Sequence, residues 1–469
     1  MSMVVQHNMQ AANANRMLGV TTSAQSKSTE KLSSGYKINR AADDAAGLTI
    51  SEKMRKQIRG LDKASSNAQD GVSSVQTAEG ALTEVHSMLQ RMNELAVQAS
   101  NGTNSKDTDR KAIQDEIDQL NTEIDRVAET TKFNEIYLLK GDDGEKTINL
   151  NAHDAGLKGT LVDNGSGKAT FTMKELSVGD SVSIGGKNYT IGSTAADAQK
   201  IVTGQEKAGG KVTVNGVEYT YNDTDKKWKD AAGADVQIGT GAAAGKIVIG
   251  DGDKVSDGTT TLTAMTDKKG AAKADGVDDN DNSVISAEKA YSLAKDELVA
   301  ANHIGDTENT AAVAQDTTNK NVFTITTGSA KVANTLSFSL HVGADADMTN
   351  KITVDIDTMN SANLGIKGLN VTDKNGTAAT YAIDAISDAI SKVSSQRSAL
   401  GAVQNRLEHT IDNLDNISEN TSSAESRIRD TDMAKEMVNY SKNNILAQAG
   451  QSMLAQANQS NQGVLSLLQ

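Results

Sequence analysis

The sequence has no cysteine, no proline and few aromatic residues, which make up 3% of its 469 residues. Without cysteine, neither disulfides nor thiolate chemistry are available. Without proline, the residue that most often breaks a helix interior is missing, so long helices can continue uninterrupted. Because aromatic side chains are scarce, the hydrophobic cores must be built mainly from Ala, Val, Leu, Ile and Met.

Positive charge and long apolar runs are also in short supply. The chain has 47 Lys and Arg against 61 Asp and Glu, a net charge of −14. An acidic surface repels phosphate backbones, so nucleic acid is not an expected partner. No stretch approaches the roughly 20 apolar residues of a membrane span. Residues 1–19 lack the basic head and apolar block of a secretory signal, which predicts another route if the protein is exported.

The strongest pattern in the chain lies at residues 381–429, where the positions of apolar residues, carried through Arg397 and Gln404, alternate in steps of three and four. They are Ile383, Ile386, Ile390, Val393, Leu400, Leu407, Ile411 and Leu414. This spacing is typical of a coiled coil, and one helix over these residues would be about 70 Å long. Such a helix must lay its apolar stripe against other helices, which we expect from the opposite end of the chain.

Two further helices are predicted near the N-terminus. The first covers about 44–100 and carries its stripe at Val72, Val75, Ala78, Leu82, Val85, Leu89, Met92 and Ala96. Four glycines interrupt it, and each should cost about 1 kcal/mol unless a close neighbour requires the missing side chain. They are Gly47, Gly60, Gly71 and Gly80. The second helix begins among Asp107 and Asp109, because acids suit a helix N-terminus, and its stripe runs from Ile113 to Val127.

Residues 142–334 change character and indicate short strands. Hairpins are predicted at 212–219, around an Asn-Gly turn, and at 182–189, around Gly-Gly. Short helices are expected at 195–202 and, capped by Ser286, at 287–301. Strands are expected at 246–249, 322–326, 336–342 and 351–356. The predicted fold class is therefore α+β: a long antiparallel coiled-coil-like bundle of the paired N- and C-terminal regions, with a β-rich domain inserted in the middle.

Several blocks at both ends resemble the bacterial flagellins. The N-terminal blocks are LSSGYKINRAADDAAGL at 32–48, LQRMNELAVQ at 89–98, IDRV at 124–127 and TKFN at 131–134. The C-terminal blocks are ALGAVQNRL at 399–407, SRIRDTDMA at 426–434 and VLSLLQ at 464–469. They cover roughly the first 140 and last 135 residues, and a long match of several blocks is far more specific than one short motif. Residues 142–334 contain no sequence block that resembles a known family.

The resemblance implies a three-part division of the chain. Residues 1–42 with 432–469 would form an inner-tube domain of terminal helices. Residues 43–141 with 335–431 would form a long-helix outer-tube domain, and 142–334 a variable β-rich surface domain. Self-polymerisation would give a helical filament outside the cell, after type III export without a cleaved signal. The implied partners are further copies of the chain, an export chaperone, the filament cap and the hook-junction proteins.

Two sets of site residues follow from the resemblance. The terminal apolar residues would serve assembly, either as ordinary core or as a core shared between subunits: Val4, Val5, Leu18, Leu32, Val464, Leu465, Leu467 and Leu468. A second set matches the patch by which toll-like receptor 5 recognises flagellins: Gln90, Arg91, Glu94, Leu95 and Glu116. From spacing alone, the second set is a solvated helix face. Met92 and Asn93 depart from the commonest form of that motif.

No catalytic residue, metal or cofactor is predicted, and the chain is not expected to be an enzyme. A zinc protease of the kind found in some flagellins needs His-Glu-x-x-His, but no two of the six histidines are close in sequence. The GAAAGKI stretch at 241–247 misses phosphate-loop spacing by one residue and predicts a hairpin turn instead. DDNDN at 278–282 lacks the closing Glu of a calcium loop. Two alternatives remain open: a hook–filament junction protein, and a flagellin with an enzyme in its insertion.

The segments 1–42 and 432–469 should be disordered in the free monomer and fold on assembly. Their few apolar residues cannot offset an ordering cost of about 1 kcal/mol or more per residue. Backbone NMR of the monomer should give random-coil shifts for both segments. Dispersed signals protected from hydrogen exchange would contradict this expectation.

Overall fold

The computed structural model describes residues 8–106, 108–239, 246–267, 275–373 and 375–466. Among them, three helices are long enough to dominate: α2 (Ala45–Ser100), α7 (Thr377–Arg429) and α8 (Met433–Ser466). The shorter helices are α1 (Met9–Ser34), α3 (Asp109–Thr130), α4 (Ala195–Gly204), α5 (Ala287–Asn302) and α6 (Ser361–Leu364). None of these helices is both long and apolar enough to cross a bilayer.

All twenty strands that the structure describes lie between α3 and α6, and most of them are short. In chain order they are β1 (Lys132–Phe133), β2 (Ile136–Tyr137), β3 (Asp142–Asn149), β4 (Gly159–Asp163), β5 (Lys168–Met173), β6 (Ser181–Ile184), β7 (Lys187–Ile191), β8 (Lys211–Val214), β9 (Val217–Asn222), β10 (Lys227–Lys229), β11 (Asp235–Gly239), β12 (Lys246–Val248), β13 (Lys254–Ser256), β14 (Thr261–Thr263), β15 (Val284–Ile285), β16 (Ala312–Gln315), β17 (Val322–Thr326), β18 (Ser329–Asn334), β19 (Leu336–His341) and β20 (Lys351–Ile356).

The chain divides into two units. The first contains the described parts of Met1–Val75, Phe338–Val354 and Ala402–Gln469. The second contains the described parts of Gln76–Ser337 and Asp355–Gly401. Each unit therefore combines residues from distant parts of the sequence, and helices α2 and α7 each contribute to both.

In the first unit, the N-terminal half of α2 packs antiparallel to the C-terminal half of α7. Apolar contacts join Leu61 and Ala64 to Leu414, and Ala68 to Leu407. A polar contact continues the same alignment, because the Ser51 hydroxyl donates to Glu425 Oε1 at 2.7 Å. As the residue number rises on α2, it falls on α7, as an antiparallel pair requires.

The β19–β20 hairpin covers this helix pair, and it explains two glycines of α2. A Cβ built at Gly71 would lie 2.2 Å from Leu340 Cδ1, and one at Gly60 would lie 2.9 Å from Ala344 Cβ and 3.1 Å from its Cα. The Asn67 side chain also donates to the His341 carbonyl at 3.0 Å. These glycines let the hairpin approach the helix closely. Gly80, by contrast, would meet nothing within 4 Å.

The two connections between the terminal helices and the long helices are joined to each other. Lys37 N donates to the Arg429 carbonyl at 2.6 Å, and Thr431 N donates to the Gly35 carbonyl at 2.9 Å. The Arg429 guanidinium lies 4.8 Å above the ring of Tyr36 and forms an ion pair with Glu52 at 2.6 Å. This joint ties the end of α1, the start of α2 and the end of α7 together.

In the second unit, a buried arginine closes the C-terminal end of α2. Arg110 is fully buried at the start of α3. Its guanidinium donates to the carbonyls of Ala99 at 2.8 Å, Asn101 at 3.1 Å and Asp373 at 3.1 Å. The last carbonyls of a helix have no partner within it and carry the negative end of its dipole, so a buried cation satisfies both needs.

The described β-rich part of the second unit contains two large hydrophobic cores and a small cluster of Ala330, Val332 and Ala362. The first packs α5 against the sheets β16–β17–β5–β4 and β15–β7–β6, and its aromatic centre is Phe171, Phe323 and Tyr291. Tyr381 of α7 also joins this core. The second core packs α4 against the seven-stranded sheet β12–β11–β10–β9–β8–β13–β14, with Trp228 3% exposed and in edge contact with Tyr221.

The structure confirms the predicted fold class. Helix α2 begins one residue after the predicted start, and β17 and β20 have the predicted bounds. Both predicted hairpins form: Asn215 and Gly216 have φ of 52° and 84°, and Gly185 and Gly186 have φ of 56° and 72°, as a type I′ turn needs. The hairpin predicted around 241–247 is wrong, because β11 and β12 pair in parallel; residues 240–245 themselves lie outside the described chain.

Alanine substitutions at two glycines of α2 should have opposite effects on stability. Gly80→Ala should stabilise by up to about 1 kcal/mol, because it removes only a helix-propensity cost. Gly60→Ala should destabilise by about 1 kcal/mol, because overpacking against Ala344 costs about 1–3 kcal/mol and outweighs the same gain. Urea unfolding followed by circular dichroism at 222 nm measures both. Equal shifts of the two variants would show that the hairpin does not constrain Gly60.

Candidate functional site

The terminal helices α1 and α8 pack against each other within the first unit, but they bury little. The Asn8 side chain donates to the Ala457 carbonyl at 3.0 Å, and a hydrogen bond from Ser28 is the main cause that holds the pKa of Glu436 below its usual value. Leu18 and Leu32 are only half-buried. Ser28 of α1 and Ala447 of α8 are the only buried residues among the described side chains of this pair.

A large set of apolar side chains on the same two helices faces solvent, and we call it the terminal apolar surface. Its members are Met9, Met17 and Val20 on α1, and Met433, Met437, Val438, Ile445, Leu446 and Met453 on α8. Val438 is 69% exposed and Ile445 66%. On α8, Met437, Val438, Ile445 and Leu446 line an open cleft of about 440 Å³. Soluble monomers rarely expose contiguous apolar patches of this kind unless they bind a partner.

The structure places the predicted assembly residues only in part. Leu18 and Leu32 lie on α1. Val4, Val5, Leu467 and Leu468 lie outside the described residues, as do the side chains of Val464 and Leu465. The exposed residues of α8 were not predicted. The sequence does contain a pattern that marks these exposed residues: adjacent apolar pairs recur two helical turns apart, at 437–438 and 445–446.

The second predicted set lies where α2 packs beside α3. Gln90, Arg91, Glu94 and Glu116 are all exposed, and we call these four residues the polar face. Arg91 Nε donates to Glu116 Oε1 at 2.8 Å, and Arg91 Nη1 lies 3.2 Å from Glu94 Oε2. These two hydrogen bonds raise the pKa of Arg91 above its usual value, Glu116 being the larger cause. The face therefore carries a guanidinium fixed between two carboxylates.

Leu95 does not lie on this face. It is 2% exposed and belongs to the buried side of α2, with Leu89 and Met92. Its side chain can hold the helix in place beneath Arg91 and Glu94, but a protein partner cannot reach it without opening the core. The structure thus brings four of the five predicted residues to the surface and places the fifth beneath them.

Within the described parts of the chain, no group of three or more His, Asp and Glu side chains is arranged to hold a metal ion. The 278–282 stretch is a set of turns in which Asp278 accepts from the backbone N–H groups of Asn280 and Asp281. Where a histidine side chain has a polar partner in the described chain, that partner is a single group. His153 Nε2, for example, lies 3.9 Å from Asp388 Oδ2.

Comparison with known proteins gives matches at both ends and over the full length. Residues 5–143 match the family model of the bacterial flagellin N-terminal helical region, and residues 383–468 match that of the C-terminal helical region. A flagellin of Clostridium tyrobutyricum is 40% identical over 98% of this chain and all of its own length. Flagellin C of Vibrio cholerae serotype O1 is 36% identical, and flagellin D of Vibrio anguillarum 35% identical, each over both full lengths.

Proposed function

Because the chain belongs to the bacterial flagellins and is a structural subunit of the flagellar filament, we propose that it polymerises through its terminal helix pair, α1 and α8. The terminal apolar surface carries this proposal. Burying one exposed Leu or Ile side chain contributes about 2 kcal/mol, and nine large apolar residues on this pair are exposed in the single chain. Contacts between identical subunits that do not close on themselves generate a helical filament.

The proposal assigns a role to each part of the chain. Residues 1–42 with 432–469 would form the inner tube, 43–141 with 335–431 the outer tube, and 142–334 the outer surface of the filament. The joint at Tyr36 and Arg429 supports the first boundary, because both chain connections between terminal and long helices pass through it. The run of strands from β3 to β18 supports the second, since it begins at Asp142 and ends at Asn334.

The proposal also includes the route of the protein and its other partners. The subunit would leave the cell through the flagellar type III apparatus with an export chaperone, join the filament beneath its cap, and contact the hook-junction proteins at the filament base. Segments that expose this much apolar surface before assembly are suited to a chaperone, which would cover the terminal helices until they reach other subunits.

The assembly proposal predicts that Ile445→Asp raises the monomer concentration needed for growth. Losing about 2 kcal/mol of buried contact in every subunit corresponds to roughly a thirtyfold increase. Seeded polymerisation followed by light scattering and electron microscopy measures it. Val162→Asp is the matched control, because Val162 is a 56% exposed apolar residue on β4 in the other unit. Deleting residues 464–469 should have an effect at least as large, and normal growth of both altered chains would contradict the proposal.

We further propose that the polar face is the contact surface for toll-like receptor 5. The fixed guanidinium of Arg91, flanked by exposed carboxylates, offers the charged anchor that protein interfaces commonly use. Buried Leu95 would support the face from below. The long helices that carry the face must also pack between subunits, so the receptor should bind the monomer and not the intact filament.

Arg91→Ala should weaken binding of the monomer to the purified receptor ectodomain by roughly ten- to a hundredfold, as expected for an interface hot spot. Arg126→Ala is the matched control, because Arg126 forms a similarly exposed ion pair with Glu123 on α3. Surface plasmon resonance compares both variants, and a second measurement compares monomer with cross-linked filament. If filament and monomer bind equally per subunit, the polar face points outward and is not shared with assembly.

A further inference from the structure

Helix α2 carries a row of cations along its exposed side in the first unit. The basic row consists of Lys53, Lys56, Arg59 and Lys63, which follow each other at steps of three, three and four. Residues at these spacings are neighbours on a helix surface, so the row forms one strip about 15 Å long. All four side chains are exposed.

Helix α7 carries a row of the opposite sign in the same unit. The acidic row consists of Glu408, Asp412, Asp415 and Glu419, at steps of four, three and four. It forms a strip about 17 Å long, close to the length of the basic row. These four side chains are also exposed.

No side chain of either row forms an ion pair within the part of the chain that the structure describes. Glu408 accepts from Gln404 at 2.9 Å and Asp415 from Ser65 at 3.0 Å, and both donors are neutral. Glu52 forms its ion pairs with Arg429 and Arg55, and its charge acts on Arg59 of the basic row only at longer range. Like charges at steps of three and four destabilise a helix, and no ion pair within the described subunit offsets that cost for either row.

We propose that the acidic row of one subunit docks on the basic row of a second copy of this chain. The copy is the partner that the charges favour, because it presents a strip of matching length and opposite sign while keeping its own basic row free for the next subunit. Such a contact is heterologous and propagates without closing. This inference rests on the proposed polymerisation and adds a specific electrostatic contact to the apolar one of the terminal helices.

The test uses three full-length variants in seeded growth. The first reverses the basic row with Lys56→Glu, Arg59→Glu and Lys63→Glu. The second reverses the acidic row with Glu408→Lys, Asp412→Lys and Glu419→Lys, and keeps Asp415 because it holds Ser65. The third combines both reversals. The control reverses three exposed lysines of the other unit that have no ion pair there, Lys158, Lys187 and Lys207, and changes the net charge as the first variant does.

Each single reversal should slow elongation by at least about tenfold at low salt, and the combined variant should recover most of the wild-type rate. Elongation of the wild type should also slow as salt screens the contact. The inference is overturned if the single reversals grow as fast as the control. It is also overturned if the combined variant fails to recover while circular dichroism shows that all variants fold. If the wild type itself does not grow from seeds, the proposed polymerisation fails instead.

Discussion

The structure depends on one constraint, the seven-residue repeat that aligns α2 with α7. On α2, Leu61, Ala68, Val75, Leu82, Leu89 and Ala96 are buried at every seventh position, and on α7 the same holds for Ile386, Val393, Leu400, Leu407 and Leu414. Between these positions α2 buries mostly small or linear residues, including Ala64, Ala78 and Met92. Helices packed this closely have no need of aromatic side chains, and the absence of proline keeps the repeat in register over its whole length.

The terminal helices show what happens where this repeat is missing. Helices α1 and α8 pack side by side, yet their large apolar residues remain exposed, because no third element among the described residues covers them. The long helices α2 and α7 bury most of their large apolar residues within the subunit and expose many charged ones, whereas α1 and α8 leave most of theirs exposed. One chain therefore carries two chemically different kinds of surface, and apolar and charged contacts respond differently to salt and temperature.

Much of this fold could be predicted because its helices follow a strict period. The extent of α2 and the end of α7 agree with the prediction from the sequence, although α7 begins at Thr377, four residues before the predicted start. The hairpins at Asn215–Gly216 and Gly185–Gly186 follow from turn chemistry. Strand β18 was not predicted, because its partner β3 lies far away in the sequence. Strands β4 and β5 were missed although they pair with each other across the Asn164–Gly165 turn, a signal of the same kind as the two hairpins that were predicted.

Side-chain position within the candidate sites was harder to predict. Spacing placed Leu95 beside Arg91, but only the packing of α2 shows that it is buried. The neighbours that require Gly60 and Gly71 come from a hairpin some 270 residues later in the chain, which no local pattern reveals.

The pairing of α1 with α8 has a consequence for the order of folding. Asn8 reaches its hydrogen-bond partner, Ala457, only across nearly the whole sequence. Contacts with such separation form late, because the chain between them must first be closed into a loop. During synthesis the middle of the chain, whose hairpins pair locally, can fold before α8 has been synthesised. Until then, α1 has no helix to pack against. The first segment to be synthesised is thus among the last to pack into the folded structure.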